Sequence, residues 1–163
     1  MSAAPPGSDT GSGPAPAAVH ASVVLVGADG VLIRGASGAG KSRLALDLIG
    51  RATQAGLFAT LVADDRVRLR ASGDRLVAEV PETIAGLVER RGYGILRLPH
   101  EAAAVIRLVI DLVAGDVERM PAPSDLTAAL CGVSVPKLTL PERDPGNADI
   151  VMHLLANRNS SIT

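Results

Sequence analysis

Hydrophobic residues along this chain come in short runs fenced by turn residues, and the period within each run separates strand from helix. Val19 to Gly27 and Val31 to Arg34 are valine-rich, with Ala28-Asp29-Gly30 as a turn between them, which predicts a β-hairpin. From Lys41 to Arg51 the period changes: Leu44, Ala45, Leu48, Ile49 and Ala52 fall on one face of a predicted helix. Ala55-Gly56 breaks that pattern, and Phe58 to Ala63 reads as a short apolar strand ending in Asp64-Asp65. Val67 to Arg70 and Leu76 to Val80 predict a second hairpin across Ser72-Gly73-Asp74, stopped by Pro81. Glu82 to Val88 reads as a helical turn and Ile95 to Leu98 as a strand. In Val105 to Val113 the residues Ile106, Leu108, Ile110 and Leu112 share a face at period two, a strand; the competing helix would pair Arg107 with Asp111. Pro121, Pro123, Pro136, Pro141 and Pro145 then predict a long irregular stretch before a closing helix over Asp149 to Asn157. The fold class that follows is α/β, with a mostly β core and few helices.

The step from strand into helix is Gly35-Ala36-Ser37-Gly38-Ala39-Gly40-Lys41-Ser42, which fits the phosphate-binding loop pattern of two glycines around four residues, then lysine, then serine or threonine. Glycines there supply positive φ and bring successive backbone N–H groups close to phosphate oxygens. Lys41 would bridge the outer phosphates as a point charge, and the Ser42 hydroxyl would join a magnesium shell built from oxygens. The anion would lie at a helix N-terminus, where the dipole favours negative charge. A nucleotide phosphate site is the primary expectation.

Asp64 and Asp65 stand at the C-terminal end of a strand beside that loop, where a magnesium-holding or catalytic carboxylate belongs. On an extended chain neighbours point to opposite sides, so one of the two would face the phosphates. Glu89-Arg90-Arg91-Gly92-Tyr93-Gly94 combines charge with two glycines and reads as one exposed loop suited to a charged substrate. His20 stands at the start of the first hairpin.

Composition removes several alternatives. The 163 residues suit one domain able to bury its own core, with residues 1–18 as an Ala/Pro/Gly/Ser tail too poor in apolar side chains to order itself and 158–163 as a polar tail. A net charge of -1, with Phe58 and Tyr93 the only aromatic rings, leaves neither a basic footprint nor a stacking platform for nucleic acid. Cys131 is the single cysteine, so no internal disulfide forms. No Lys or Arg precedes Arg34, and the best hydrophobic run, Ala102 to Ala114, is short and interrupted by charge. The expectation is a soluble, cytoplasmic protein with no membrane partner.

Taken together, four segments resemble the catalytic domain of the bacterial HPr kinase/phosphorylase family, particularly its short forms without the N-terminal domain. They are Val19-His20-Ala21, the Gly35 to Ser42 loop, Leu61-Val62-Ala63-Asp64-Asp65, and Glu89-Arg90-Arg91-Gly92-Tyr93-Gly94-Ile95-Leu96; Val135 to Pro141 is similar to the family's late Pro-rich segment. The resemblance covers 19–157. That family moves a phosphoryl group from ATP, or in some members pyrophosphate, to a serine of HPr, a small carrier of the sugar phosphotransferase system, and removes it by phosphorolysis. For this chain the resemblance implies ATP and magnesium (Mg2+) as cofactors and an HPr-type phosphocarrier as partner. It implies that Lys41 and the loop amides hold the β-phosphate and that Ser42 and Glu89 help bind the metal. Asp65, or else Asp64, would take the serine proton and return one in the reverse direction. His20 matches a histidine near the family's active centre, and Arg119 falls where the family carries an active-site arginine. A fold like that of phosphoenolpyruvate carboxykinase and a homo-hexamer are further implications.

Two departures from the family pattern stand out. Arg43 occupies the position after the loop serine where the family has an acidic residue, and Pro145-Gly146-Asn147 lacks an arginine between glycine and asparagine, in a segment the family associates with dephosphorylation. The alternative reading, motivated by Arg43, is an ATP-binding regulatory sensor that has lost phosphoryl transfer. A small-molecule kinase of the same loop type would bring an arginine-rich lid, and none is apparent in the sequence.

Overall fold

The structure, a computed structural model, describes residues 16–160. After a short β1 (Ala17–Val19), the first hairpin is present as β2 (Ala21–Val26) and β3 (Asp29–Gly35), with a two-residue turn at Gly27 and Ala28, not the expected Ala28 to Gly30, that sets Val26 opposite Asp29. The single long amphipathic segment forms α1 (Lys41–Gln54), and β4 (Ala59–Ala63) follows it. β5 (Val67–Ser72) and β6 (Arg75–Glu79) make the second hairpin, β7 (Leu87–Arg90) and β8 (Gly94–Arg97) a separate small one. The chain continues through β9 (Ala103–Val113), β10 (Thr127–Leu130), β11 (Val133–Pro141) and α2 (Asn147–Ser160).

Nine strands form one sheet in the order β1-β5-β6-β9-β3-β2-β4, with β11 beside β9 and β10 beside β11. β3 pairs parallel with β9, and β9 parallel with β11, while β2 runs antiparallel to both β3 and β4. The C-terminal ends of β3, β4, β9 and β11 therefore lie at one end of the sheet, the place where open α/β sheets bind ligands.

The central strands of the sheet are buried on both faces. One face packs Val24, Val31, Ile33, Leu108 and Ile110 under Leu44, Ala45 and Leu48 of α1 and under Val151 and Leu155 of α2. On the other face Val23, Leu32, Val62 and Val109 meet Leu69, Leu76 and Ala78, because the sheet curls its β5–β6 wing back over its centre. Burial on both sides explains why the central strands read as continuous valine and leucine runs and not as clean alternation. Among the described residues no helix is long and apolar enough to cross a membrane.

Several boundaries differ from the sequence reading. Residues 1–15 of the expected tail lie outside the described residues, but Ala17 and Ala18 pair with Leu69 and Arg68 in β1, and α2 runs past Asn157 to Ser160. Glu89 lies within β7 instead of in a loop, since Gly92 and Gly94, at φ 81 and 107, allow a tight turn at Arg91 to Tyr93. The expected irregular stretch contains β10 and β11. Pro136 and Pro141 are tolerated in β11 because each occupies the last pair of a ladder, opposite Thr127 of β10 and Val113 of β9 respectively. Residues 103–113 are a strand, and Asp111 pairs not with Arg107 but across the sheet with Arg34, at 2.7 and 2.8 Å.

Candidate active site

The glycine-rich loop leaves β3 at Gly35 and closes onto α1. Space at Gly35 is tight: a Cβ would sit 3.1 Å from the Leu112 carbonyl oxygen of β9 and from Ala39 Cβ, so the two strands approach closely there. Gly40, at φ 95, is the cap of α1 in the left-handed region that glycine adopts without strain. No side chain caps α1, and its first turn carries Lys41 and Arg43 and no acid. Open first-turn amides, the dipole and these cations make the loop electropositive. Lys41, only 6% exposed, folds back so that Nζ donates to the carbonyls of Gly35 (2.9 Å) and Ala36 (3.0 Å). An ammonium has three donors, so one remains for an anion seated on the loop.

Ser42 Oγ donates to Asp64 Oδ1 at 2.7 Å, and Ser22 Oγ donates to the same oxygen at 2.8 Å. Asp64 is 8% exposed, so two hydroxyls hold a nearly buried carboxylate against the start of α1. Ser22 was not singled out by sequence reasoning; its one signal is a lone hydroxyl within an otherwise apolar strand.

Asp65 has a different task. The Arg66 amide donates to the Asp64 carbonyl at 2.9 Å around Asp65, whose φ of 70 is that of a three-residue turn of the rarer, strained kind. The bend carries Asp65 out of the extended geometry assumed from sequence and toward His20. His20 Nδ1 lies 3.0 Å from the Asp65 carbonyl oxygen and donates to it, while Nε2 lies 2.9 Å from Asp65 Oδ1 and forms an ion pair when the ring is protonated. Their side chains are 50% and 62% exposed, so the pair is open to an incoming group. A groove of about 560 Å³, lined by Val19, His20, Arg66, Arg68, Pro81 and Ile84 among others, opens beside it.

Other candidates are less tightly connected. Glu89 is exposed on β7, and among the described residues no hydrogen bond or ion pair ties it to Ser42 or Asp64. Arg119 is exposed in the connection after β9, which leaves the sheet at the same end as the loop. Among the described residues no group of three or more His, Cys, Asp or Glu side chains is arranged to hold a metal. The Ser42 and Asp64 oxygens nevertheless suit magnesium, which takes one or two carboxylates and completes its shell with phosphates and water. Arg43, the departure noted from sequence, lies along the exposed side of α1 with Nε 3.3 Å from Asp47 Oδ2.

The HPr serine kinase C-terminal domain family matches residues 15–161. The chain belongs to that family. Among named relatives, the HPr kinase/phosphorylase of Geobacillus thermodenitrificans is 37% identical over 153 residues, covering 85% of this chain and 47% of that protein. The HPr kinase/phosphorylase of Caldicellulosiruptor bescii is 36% identical over 152 residues, covering 86% and 47%. This member of the family thus spans about half the length of the curated relatives it matches. The HPr(Ser) kinase/phosphatase structure from Coxiella burnetii superposes with a TM-score of 0.71 at 28% identity, covering 90% of this chain and 98% of that one.

Proposed function

We propose that this chain is a protein-serine kinase, with phosphorolysis as its reverse reaction, acting on a serine of an HPr-type phosphocarrier with ATP and magnesium. The observation that carries the reading is the division of the Asp pair: Asp64 is bonded to the loop serine, and Asp65 is presented with His20 to solvent a residue away. Family membership and the relatives' names support the partner. An HPr kinase-like fold of the phosphoenolpyruvate carboxykinase type and a homo-oligomer, a hexamer by family resemblance, belong to the same proposal.

In this mechanism the loop amides and Lys41 hold and align the phosphate chain, which is most of what phosphoryl transfer asks of a protein. Ser42 and Asp64, with Glu89 as the further candidate, would hold magnesium, which when bound offsets the charge spreading over the phosphate oxygens. Asp65 accepts the serine proton as the serine oxygen bonds to the terminal phosphorus and the bond to the ADP oxygen breaks. In reverse, an oxygen of inorganic phosphate attacks phosphoserine, and Asp65 returns a proton to the departing serine oxygen, leaving pyrophosphate. His20 holds the Asp65 carboxylate in place, and the groove beside the pair supports a macromolecular acceptor. Arg119 is the candidate for further positive charge.

The test is incubation with the host's HPr-like carriers, ATP and magnesium, followed by mass analysis. One phosphate on one serine is expected, lowered about 10²–10⁴-fold in Asp65→Asn and lost in Lys41→Ala. ATP binding with no transfer to any carrier would leave the sensor reading instead, although Arg43, which motivated it, lies paired with Asp47 on the outer side of α1.

A further inference from the structure

The turn joining β11 to α2, residues 141–147, is bonded to itself and to the phosphate loop. The Asn147 side-chain amide donates to the Pro141 carbonyl at 2.8 Å, the Gly146 amide to Asp144 Oδ1 at 2.8 Å, and the Asn147 amide to the Asp144 carbonyl at 3.2 Å. Asn147 is 3% exposed, and its Oδ1 is a buried acceptor with no partner among the described residues. Outward bonds fix the turn in place: Glu142 N–H donates to the Val113 carbonyl at the end of β9 at 2.9 Å, and Arg143 N–H to the Ala39 carbonyl inside the loop at 3.2 Å.

Arg143 sits at the contact with φ 55, a left-handed conformation that a side-chain-bearing residue adopts at a cost. Its stem lies over Gly40: a Cβ built there would be 3.4 Å from Arg143 Cγ and 3.7 Å from its Cα. Its side chain is 72% exposed, and among the described residues its guanidinium has one partner, the Glu142 carboxylate at 3.3 Å. A strained backbone thus holds a nearly free guanidinium above the residue whose amide opens α1. A single carboxylate engages only part of the five-donor fork, and an anion on the loop amides could compete for it.

We propose that Arg143 is a phosphate-binding residue, which takes an oxygen of the outermost phosphate seated on the Gly35–Ser42 loop. This rests on the phosphate-loop reading given above. The shared chemistry is a phosphate oxyanion, and it has two sources, the terminal phosphate of a triphosphate donor and free inorganic phosphate.

Calorimetric titration of the full chain with magnesium-ATP, magnesium-ADP and inorganic phosphate separates the cases. Arg143→Asn keeps a residue that tolerates the left-handed region while removing the charge. It is expected to weaken ATP binding about tenfold, the scale of one charge-assisted hydrogen bond, with ADP affinity unchanged and Arg143→Lys recovering part of the loss. Weakened inorganic phosphate binding alongside that of ATP would extend the role to the reverse direction. Should Arg143→Asn and Arg143→Gly, folded by circular dichroism, bind ATP as wild type does, the residue only shapes the turn and the inference is wrong. Equal losses for ATP and ADP would overturn the assignment to the outermost phosphate. Lys41→Ala is the control on the underlying reading: if it binds ATP normally, the loop itself has been misread.

Discussion

At Asp65 the backbone leaves the strand through a left-handed bend, φ 70, and that single torsion lets two adjacent carboxylates serve different partners. Asp64, just past the end of β4, takes hydroxyls from Ser22 and Ser42; Asp65 turns toward His20. Ser22→Ala removes one of the two donors to a nearly buried carboxylate and is expected to lower stability by about 1.5–3 kcal/mol, the range for hydrogen bonds to charged groups, as read by urea unfolding. A loss below about 0.5 kcal/mol, the ordinary scatter of surface substitutions, would mean that Asp64 does not depend on it. That the Asp pair lies at the strand end beside the glycine-rich loop was legible in the sequence, because glycine spacing and carboxylates at a strand end carry their own signals; His20 was singled out only through the family resemblance. Ser22 and Arg143 were not legible. Their roles depend on partners 42 residues away in one case and on an amide bonded to Ala39 in the other, and no local pattern encodes such meetings.

Elements with a single period were read well. α1 and the hairpins around Gly27 and Gly73 follow from apolar spacing and turn chemistry. β10 and β11 were missed because proline was taken as a breaker, whereas β11 changes partner from β10 to β9 and leaves its prolines where the ladders end. Packing between elements can be tested directly. Leu48, fully buried between α1 and the sheet, is expected to cost about 2–5 kcal/mol on substitution by alanine, measured by the same unfolding. At Gly35, where β3 meets β9, alanine would press against the Leu112 carbonyl. Gly35→Ala is expected to destabilise by about 1–3 kcal/mol, and an unchanged urea midpoint would show that the strands have room to part.

For the molecule as a whole, the parallel ends of β3, β4, β9 and β11 gather the site from segments far apart in the chain. A ligand that binds only this gathered state stabilises all of it. Magnesium-ATP at about 100 times its dissociation constant should add about 2.7 kcal/mol, which raises Tm by about 5–10 °C for a domain of this size. Differential scanning fluorimetry of wild type beside Lys41→Ala measures it, and an equal rise in both would show that Lys41 does not hold the nucleotide. Topology of this kind is the part least visible in a sequence, since parallel pairings join strands with no turn between them.

The bond from Arg143 to Ala39 also fixes an order of events during synthesis. A chain still on the ribosome, with α1 already outside but the stretch around Asn147 not yet emerged, has its nucleotide cradle missing one wall. Capture of ATP by the nascent chain is therefore expected only once that stretch has emerged, and stalled nascent chains released at successive lengths would display it as an abrupt onset instead of a gradual one.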